Sequence, residues 1–127
     1  DYIQLLTSGK KVESRQQEVS EFSRSLKLLA KELNVPVIAI SQLNRNSEQT
    51  KDKKPEISHL RESGSLEQDA DVVILLHRED MGVKDSPRAG EADIILAKQR
   101  SGPTDTVAVL FQGAYSRFMN MSKKQAE

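Results

Sequence analysis

Leu60-Arg61-Glu62-Ser63-Gly64-Ser65-Leu66-Glu67-Gln68-Asp69-Ala70-Asp71 runs directly into Val72-Val73-Ile74-Leu75-Leu76. The aliphatic run has the length and β-branched content of a strand buried on both faces. The polar stretch at its entrance is dense in hydrogen-bonding groups, more than a solvated linker needs, and reads as a loop held in place because it touches something. Two other apolar runs resemble this strand. Val35-Pro36-Val37-Ile38-Ala39-Ile40 ends in Ser41-Gln42-Leu43, and Ala92-Asp93-Ile94-Ile95-Leu96-Ala97 ends in Lys98-Gln99-Arg100. Apolar strands that deliver polar groups at their C-terminal ends match the ligand-binding edge of an open α/β sheet.

The segment between the first Gly-containing loop and Val35 is helical by periodicity. Ser14 stands in N-cap position with Gln17 three residues on. Val19, Phe22, Leu26, Leu29, Ala30 and Leu33 recur at spacings of three and four, one face of a helix running from about Arg15 to Leu33. Arg15, Glu21, Arg24, Lys27 and Lys31 read as its solvated face. Asn34 and Pro36 stop it. A helix between two such strands is a βαβ unit, so Val35–Ile40 is expected to be central and parallel, with Val72–Leu76 as a second central strand.

The remaining elements follow from turn chemistry. Asn44–Pro55 reads as a surface loop, Ile57–Leu60 and Gly64–Ala70 as short helical turns, and His77–Gly90 as a loop. Ser101-Gly102-Pro103-Thr104 between two apolar runs indicates a hairpin joining Ala92–Ala97 to Asp105–Phe111. A short strand is expected at about Arg117–Met121. Tyr2–Leu6 reads as the end of a strand whose first half is not present, which suggests a fragment cut inside a domain.

Composition sets outer bounds. The 127 residues suffice for one domain of ordinary size. Lys plus Arg and Asp plus Glu balance at 19 each, so any nucleic-acid contact must come from a local patch. There is no cysteine, which excludes a disulfide scaffold and thiolate chemistry. No apolar run reaches the ~20 residues of a membrane span. His59 and His77 have no partners at metal-ligand spacing and read as structural or surface residues.

Several polar residues sit where chemistry is expected, and each has a plainer reading. Gln42 could donate to a phosphate oxygen and accept from a water; a Gln at a strand end is more often only exposed. Lys98 and Arg100 alternate, so both point to one side and Gln99 to the other. Two cations there suit a transferring phosphoryl group; equally, they could be the charged end of a hairpin. Arg61 with Gly64 would suit a phosphate backbone; alternatively, Arg61 pairs with Glu62 or Asp69. No Gly-x-x-x-x-Gly-Lys-Ser/Thr phosphate loop occurs in the sequence, so the chain by itself lacks the main nucleotide cradle.

Taken together, Asp1-Tyr2-Ile3-Gln4-Leu5, Ser41-Gln42-Leu43-Asn44-Arg45, Leu60–Asp71 and Ala97-Lys98-Gln99-Arg100-Ser101-Gly102-Pro103 stand in the order seen in the bacterial replicative DNA helicases of the DnaB type. The chain resembles that family to about Met121, over the second half of its RecA-like motor domain. The resemblance implies an α/β fold: a RecA-like twisted, mostly parallel sheet flanked by helices and ending in an antiparallel hairpin, here a partial domain over 1–121 with a tail at 122–127. It implies ATP and Mg²⁺ as cofactors and a homo-hexameric ring that translocates 5′ to 3′ on single-stranded DNA in the cytoplasm, at the replisome. Primase and a helicase loader are implied as partners, mainly through regions absent here. Asp1 then resembles the Walker B aspartate that orients Mg²⁺ through water, and Gln42 the γ-phosphate sensor. Arg61, Glu62 and Gly64 resemble the strand-binding loop. Lys98 and Arg100 resemble the pair that reaches into the neighbouring subunit's ATP site. Another RecA-like recombination or repair ATPase, and a non-catalytic binding fragment, are the alternatives.

Overall fold

The computed structural model describes residues 3–6, 15–43, 54–60, 64–81 and 85–121. Helix α1 spans Arg15–Leu33 and α2 spans Gly64–Asp69. Four strands follow: β1 Val72–His77, β2 Glu91–Gln99, β3 Asp105–Gln112 and β4 Arg117–Asn120. They form one sheet in the order β1-β2-β3-β4, each neighbouring pair antiparallel.

Helix α1 ends where its sequence says it should. Asn34 takes a left-handed conformation at φ 52°. The Val35 N–H donates to Ala30 O at 3.1 Å and the Asn34 N–H to Lys31 O at 3.3 Å. These two bonds are the Schellman pattern, with Asn in the position that requires positive φ. The face named by periodicity is buried only at its N-terminal half. Val19 is fully buried, Phe22 and Leu26 are half-buried, and Leu29 and Leu33 are exposed. Helix α1 packs on α2.

Four expectations about the sheet change. Val35–Ile40 belongs to no strand. A backbone bond ties its end to the start of the chain, the Ile3 N–H donating to Ile40 O at 2.7 Å. Ile3–Leu5 is a single 3₁₀ turn rather than a strand end. The parallel pairing expected of a RecA-like sheet is accordingly not seen among the described residues, where all pairing is antiparallel. A parallel strand needs laterally placed neighbours brought by crossover connections, and no described segment occupies those places. Strand β1 is also buried on one face only: Val73 and Leu75 are buried, whereas Val72, Ile74 and Leu76 are each at least half exposed. Its apolar content suits two covered faces, and among the described residues only one is covered.

The hairpin is as the sequence predicts, with β2 and β3 flanking Ser101–Thr104. The register adds a feature that the sequence does not announce. Val73 pairs with Lys98, but Ile74 pairs with Leu96, leaving Ala97 as an extra residue. Such a bulge re-aims the side chains beyond it. Leu75 lies opposite Ile95 and Val73 opposite Lys98, so Lys98 shares the face of Ile95. In an unbroken strand, residues 95 and 98 would face opposite ways.

Candidate functional site

The two ends of α2 connect most of the residues in question. Before it, Leu43 and Leu60 form an isolated antiparallel bridge. That bridge places the segment ending in the exposed Gln42 beside the residue that precedes Arg61. Arg61 and Glu62 lie outside the described residues, as does Asp1. Gly64 is the first residue of α2. In sequence, the Leu43–Leu60 bridge precedes and α2 follows positions 61–63.

At the far end of α2 the carbonyls of the last turn lack intrahelical partners, as they do in any helix. Three cations supply them. The Lys98 ammonium donates to Glu67 O at 2.5 Å and to Gln68 O at 3.4 Å. An Arg100 terminal N–H donates to Gln68 O at 3.3 Å. The Lys27 ammonium donates to Asp69 O at 2.8 Å. Positive charge here also opposes the negative end of the helix dipole. Lys98 and Arg100 therefore do share one side, as their alternation requires, and that side faces α2. Gln99 points elsewhere, toward the hairpin turn: a Cβ on Gly102 would stand 3.1 Å from its side chain.

Asp71 joins this cluster together. Its carboxylate accepts from the Lys27 ammonium at 3.0 Å and lies 3.2 Å from Arg100 Nε. Its backbone carbonyl accepts the Arg100 N–H at 3.1 Å. The Lys27 hydrogen bond and charge, with weaker help from Arg100 and Lys98, hold the Asp71 carboxyl below its usual range. Lys27 is therefore no part of a solvated face. With Ser20 and Ser23 it makes a polar stripe at helical spacing that meets α2: the Ser65 hydroxyl donates to Ser20 Oγ at 2.8 Å, and the Ser23 hydroxyl to Asp69 Oδ2 at 2.7 Å. Counting only apolar residues on α1 hides this stripe; the recurrence Ser20, Ser23, Lys27 at spacings of three and four could have revealed it.

A second polar cluster lies at the opposite end of the sheet, and sequence reading missed it entirely. Arg88 grips the buried Asp93 with both terminal nitrogens, at 3.0 and 2.7 Å, and its Nε donates to Glu91 at 2.9 Å. Arg78 holds Asp80 in the same two-point manner and stacks over Phe111, 4.4 Å from the ring centre. Asp80 also accepts the Gly90 N–H at 3.1 Å. Gly90 sits at φ +80°, a conformation that disfavours any side chain. Arg88 keeps the Asp93 carboxyl below its usual range, and the Gly90 N–H, then Arg78, do the same for Asp80. These ties hold Arg88 against β2 and Arg78 against β3. Among the described residues no three potential metal ligands gather in one place, and no helix is long and apolar enough to cross a membrane.

Comparison with known proteins gives a consistent result. The sequence matches the family described as DnaB-like helicase C terminal domain over residues 1–120. The replicative DNA helicase DnaB of Leifsonia xyli subsp. xyli is 74% identical over 122 residues, which are 96% of this chain and 27% of that protein. That of Mycobacterium leprae is 71% identical, over 97% of this chain and 20% of that one, and that of Geobacillus stearothermophilus 55% identical. The chain thus spans about a quarter of the length of these relatives. Among solved structures, a DnaB-like replicative helicase described with its interactions with primase superposes with a TM-score of 0.90 at 48% identity, over 96% of this chain and 30% of that one. A second solved structure, of an ATPase domain alone, gives the same TM-score and identity over 43% of its length.

Proposed function

This chain belongs to the DnaB-like helicase C-terminal domain family, and from that premise we propose that it is the second half, residues 1–121, of a RecA-like motor domain, with 122–127 as a tail. The whole protein is then an ATP-hydrolysing replicative DNA helicase. It works as a homo-hexameric ring in the cytoplasm at the replication fork, unwinding DNA by 5′ to 3′ movement on one strand. The exposed faces of β1 and of Val35–Ile40 support the partial-domain reading. Ile38 is 91% exposed and Ile40 63%, and a complete core would cover both.

The observation that carries the functional reading is the position of Lys98 and Arg100. Both are fixed beside the C-terminal end of the helix that follows segment 61–63, and the Arg100 side chain remains about half exposed. Of the guanidinium nitrogens, Nε lies 3.2 Å from the Asp71 carboxylate as an ion pair and one terminal N–H donates to Gln68 O. The outer edge of the fork stays open to an anion brought by another subunit. The donor set therefore fits a triphosphate approached in trans. ATP with Mg²⁺ supplies the hydrolysable phosphoanhydride and the metal's charge neutralisation. On this chain Asp1 would orient the metal's water, Gln42 would touch the γ-phosphate, and Lys98 and Arg100 would offset developing negative charge in the neighbour's site. Arg61, Glu62 and Gly64 would hold the phosphates of single-stranded DNA, a contact blind to base identity. Glu62 would contribute its backbone N–H. A primase and a loader would engage parts of the protein beyond these residues. Lacking a phosphate loop, the 127-residue chain alone should not turn over ATP.

Unwinding by the full-length protein tests the reading. Forked duplexes with a 5′ single-stranded tail should be opened with ATP, and duplexes with only a 3′ tail should not. The reverse polarity, or ATP hydrolysis without any strand separation, would favour a different RecA-like ATPase.

A further inference from the structure

We propose that Asp71 is a positioning residue for Arg100, an inference that rests on Arg100 acting in a neighbour's ATP site. Three observations converge on it. The Asp71 backbone carbonyl fixes the Arg100 main chain through its N–H at 3.1 Å. The Asp71 carboxylate forms an ion pair with the inner edge of the guanidinium, 3.2 Å from Arg100 Nε. Lys27, itself anchored on Asp69 O, donates to the same carboxylate oxygen, Oδ1, at 3.0 Å. An arginine has a long, rotatable side chain and loses conformational freedom when it must point at a phosphate. Held along its inner edge, Arg100 has part of that ordering done before a neighbour arrives, and its outer edge is the one left to work. Asp71 touches neither nucleotide nor metal in this arrangement and acts only through Arg100. The ion pair is exposed on both sides, so its effect is modest.

The test is a double-mutant cycle on full-length rings carrying this segment, read as steady-state ATP hydrolysis. Asp71→Asn keeps size and exposure but removes the charge. It should lower kcat by roughly two- to fivefold, the range of an exposed ion pair, with KM for ATP unchanged. Arg100→Ala should lower kcat on the order of 10³-fold or more. In the Arg100→Ala background, Asp71→Asn should then have no further effect, because the group it orients is gone. Lys27→Met should reproduce the Asp71→Asn effect and vanish in the same background. An Asp71→Asn loss that persists in full beside Arg100→Ala, or one that appears in KM, would show a structural role and overturn the inference. So would an unchanged kcat in Asp71→Asn while Arg100→Ala is strongly impaired. If Arg100→Ala itself hydrolyses ATP normally, the trans-site reading fails and the inference fails with it.

Discussion

The sheet carries a polar cluster at each end, and the two are built differently. At the end where β1 finishes and β2 begins, Arg88 holds a carboxylate whose side chain is only 4% exposed. At the other end, Lys27, Lys98 and Arg100 donate to carbonyls of α2, and Asp71, which pairs with Lys27 and Arg100, is 66% exposed. A buried pair is costly to break, because removing one partner leaves a desolvated charge. An exposed pair is cheap to break, since water replaces what is lost. The first kind suits a fixed fold. The second suits groups that are oriented without being buried.

The largest expected effect is on turnover at the exposed end. Arg100→Ala in the full-length ring should reduce ATP hydrolysis on the order of 10³- to 10⁵-fold while leaving the melting temperature nearly unchanged. Mixing Arg100→Ala subunits with subunits lacking the phosphate-loop lysine should restore part of the activity, because some interfaces then pair an intact loop with an intact arginine. Rings that mix freely without recovery, and that lose activity only in proportion when each variant is doped into wild type, would place Arg100 in its own subunit's site.

The next effect belongs to the buried end. Arg88→Ala removes both hydrogen bonds to the buried Asp93 carboxylate, leaving it only the ammonium of Lys54 at 4.0 Å, and should cost about 3–5 kcal/mol of stability. Asp93→Ala should cost less, because Arg88 keeps Glu91 and partial access to water. Chemical denaturation of the motor domain measures both, and equal losses would erase the distinction between the clusters.

Acid separates them further. The native Asp93 carboxyl titrates below the unfolded one, so the unfolded chain takes up its proton first as pH falls. Its contribution is complete above the ordinary carboxylate pKa of about 3.9 and is lost as pH drops through the native value. Stability should decline on acidification, and Asp93→Asn should flatten that decline. Asp71→Asn should barely alter it, since solvent screens that site. A profile that responds equally to both substitutions would contradict the assignment of one cluster to the fold and the other to function.

The smallest effect sharpens the exposed end's link to DNA. Arg61→Ala should weaken single-strand binding equally for all base sequences and reduce the salt slope by roughly 0.7. Binding titrations at several salt concentrations check it, and a loss confined to particular sequences would point to base readout.

How much of this was legible in the sequence varies with the range of the interaction. Helix α1, its Asn34 stop and the Gly102-Pro103 hairpin follow from periodicity and turn chemistry, which act between residues close in the chain. The family followed from four ordered motifs. The candidate pair Lys98 and Arg100 was legible because strand alternation is local. Their partners were not: Lys98 reaches back 31 residues to Glu67, and Lys27 reaches 44 ahead to Asp71. Arg88 and Asp93 are near neighbours in sequence, yet an exposed loop arginine and a strand aspartate look ordinary until the turn at Gly90 brings them together. Nor does the sequence reveal which face of β1 is covered, because an apolar strand has the same composition whether one layer or two packs on it.

The sequence by itself therefore determined the helix, the hairpin, the missing phosphate loop and which side chains have the chemistry to meet a phosphate. Only the tertiary structure decided where those side chains are held. The Ala97 bulge puts Lys98 on the face of Ile95, and the end of α2 offers carbonyls to three cations drawn from α1 and β2 and the turn after it. Hydrogen-bonding potential belongs to each residue, but the pairing that satisfies it depends on chain folding across tens of residues. That is why Asp71, an ordinary-looking residue at the entrance to β1, emerges as the group that aims Arg100.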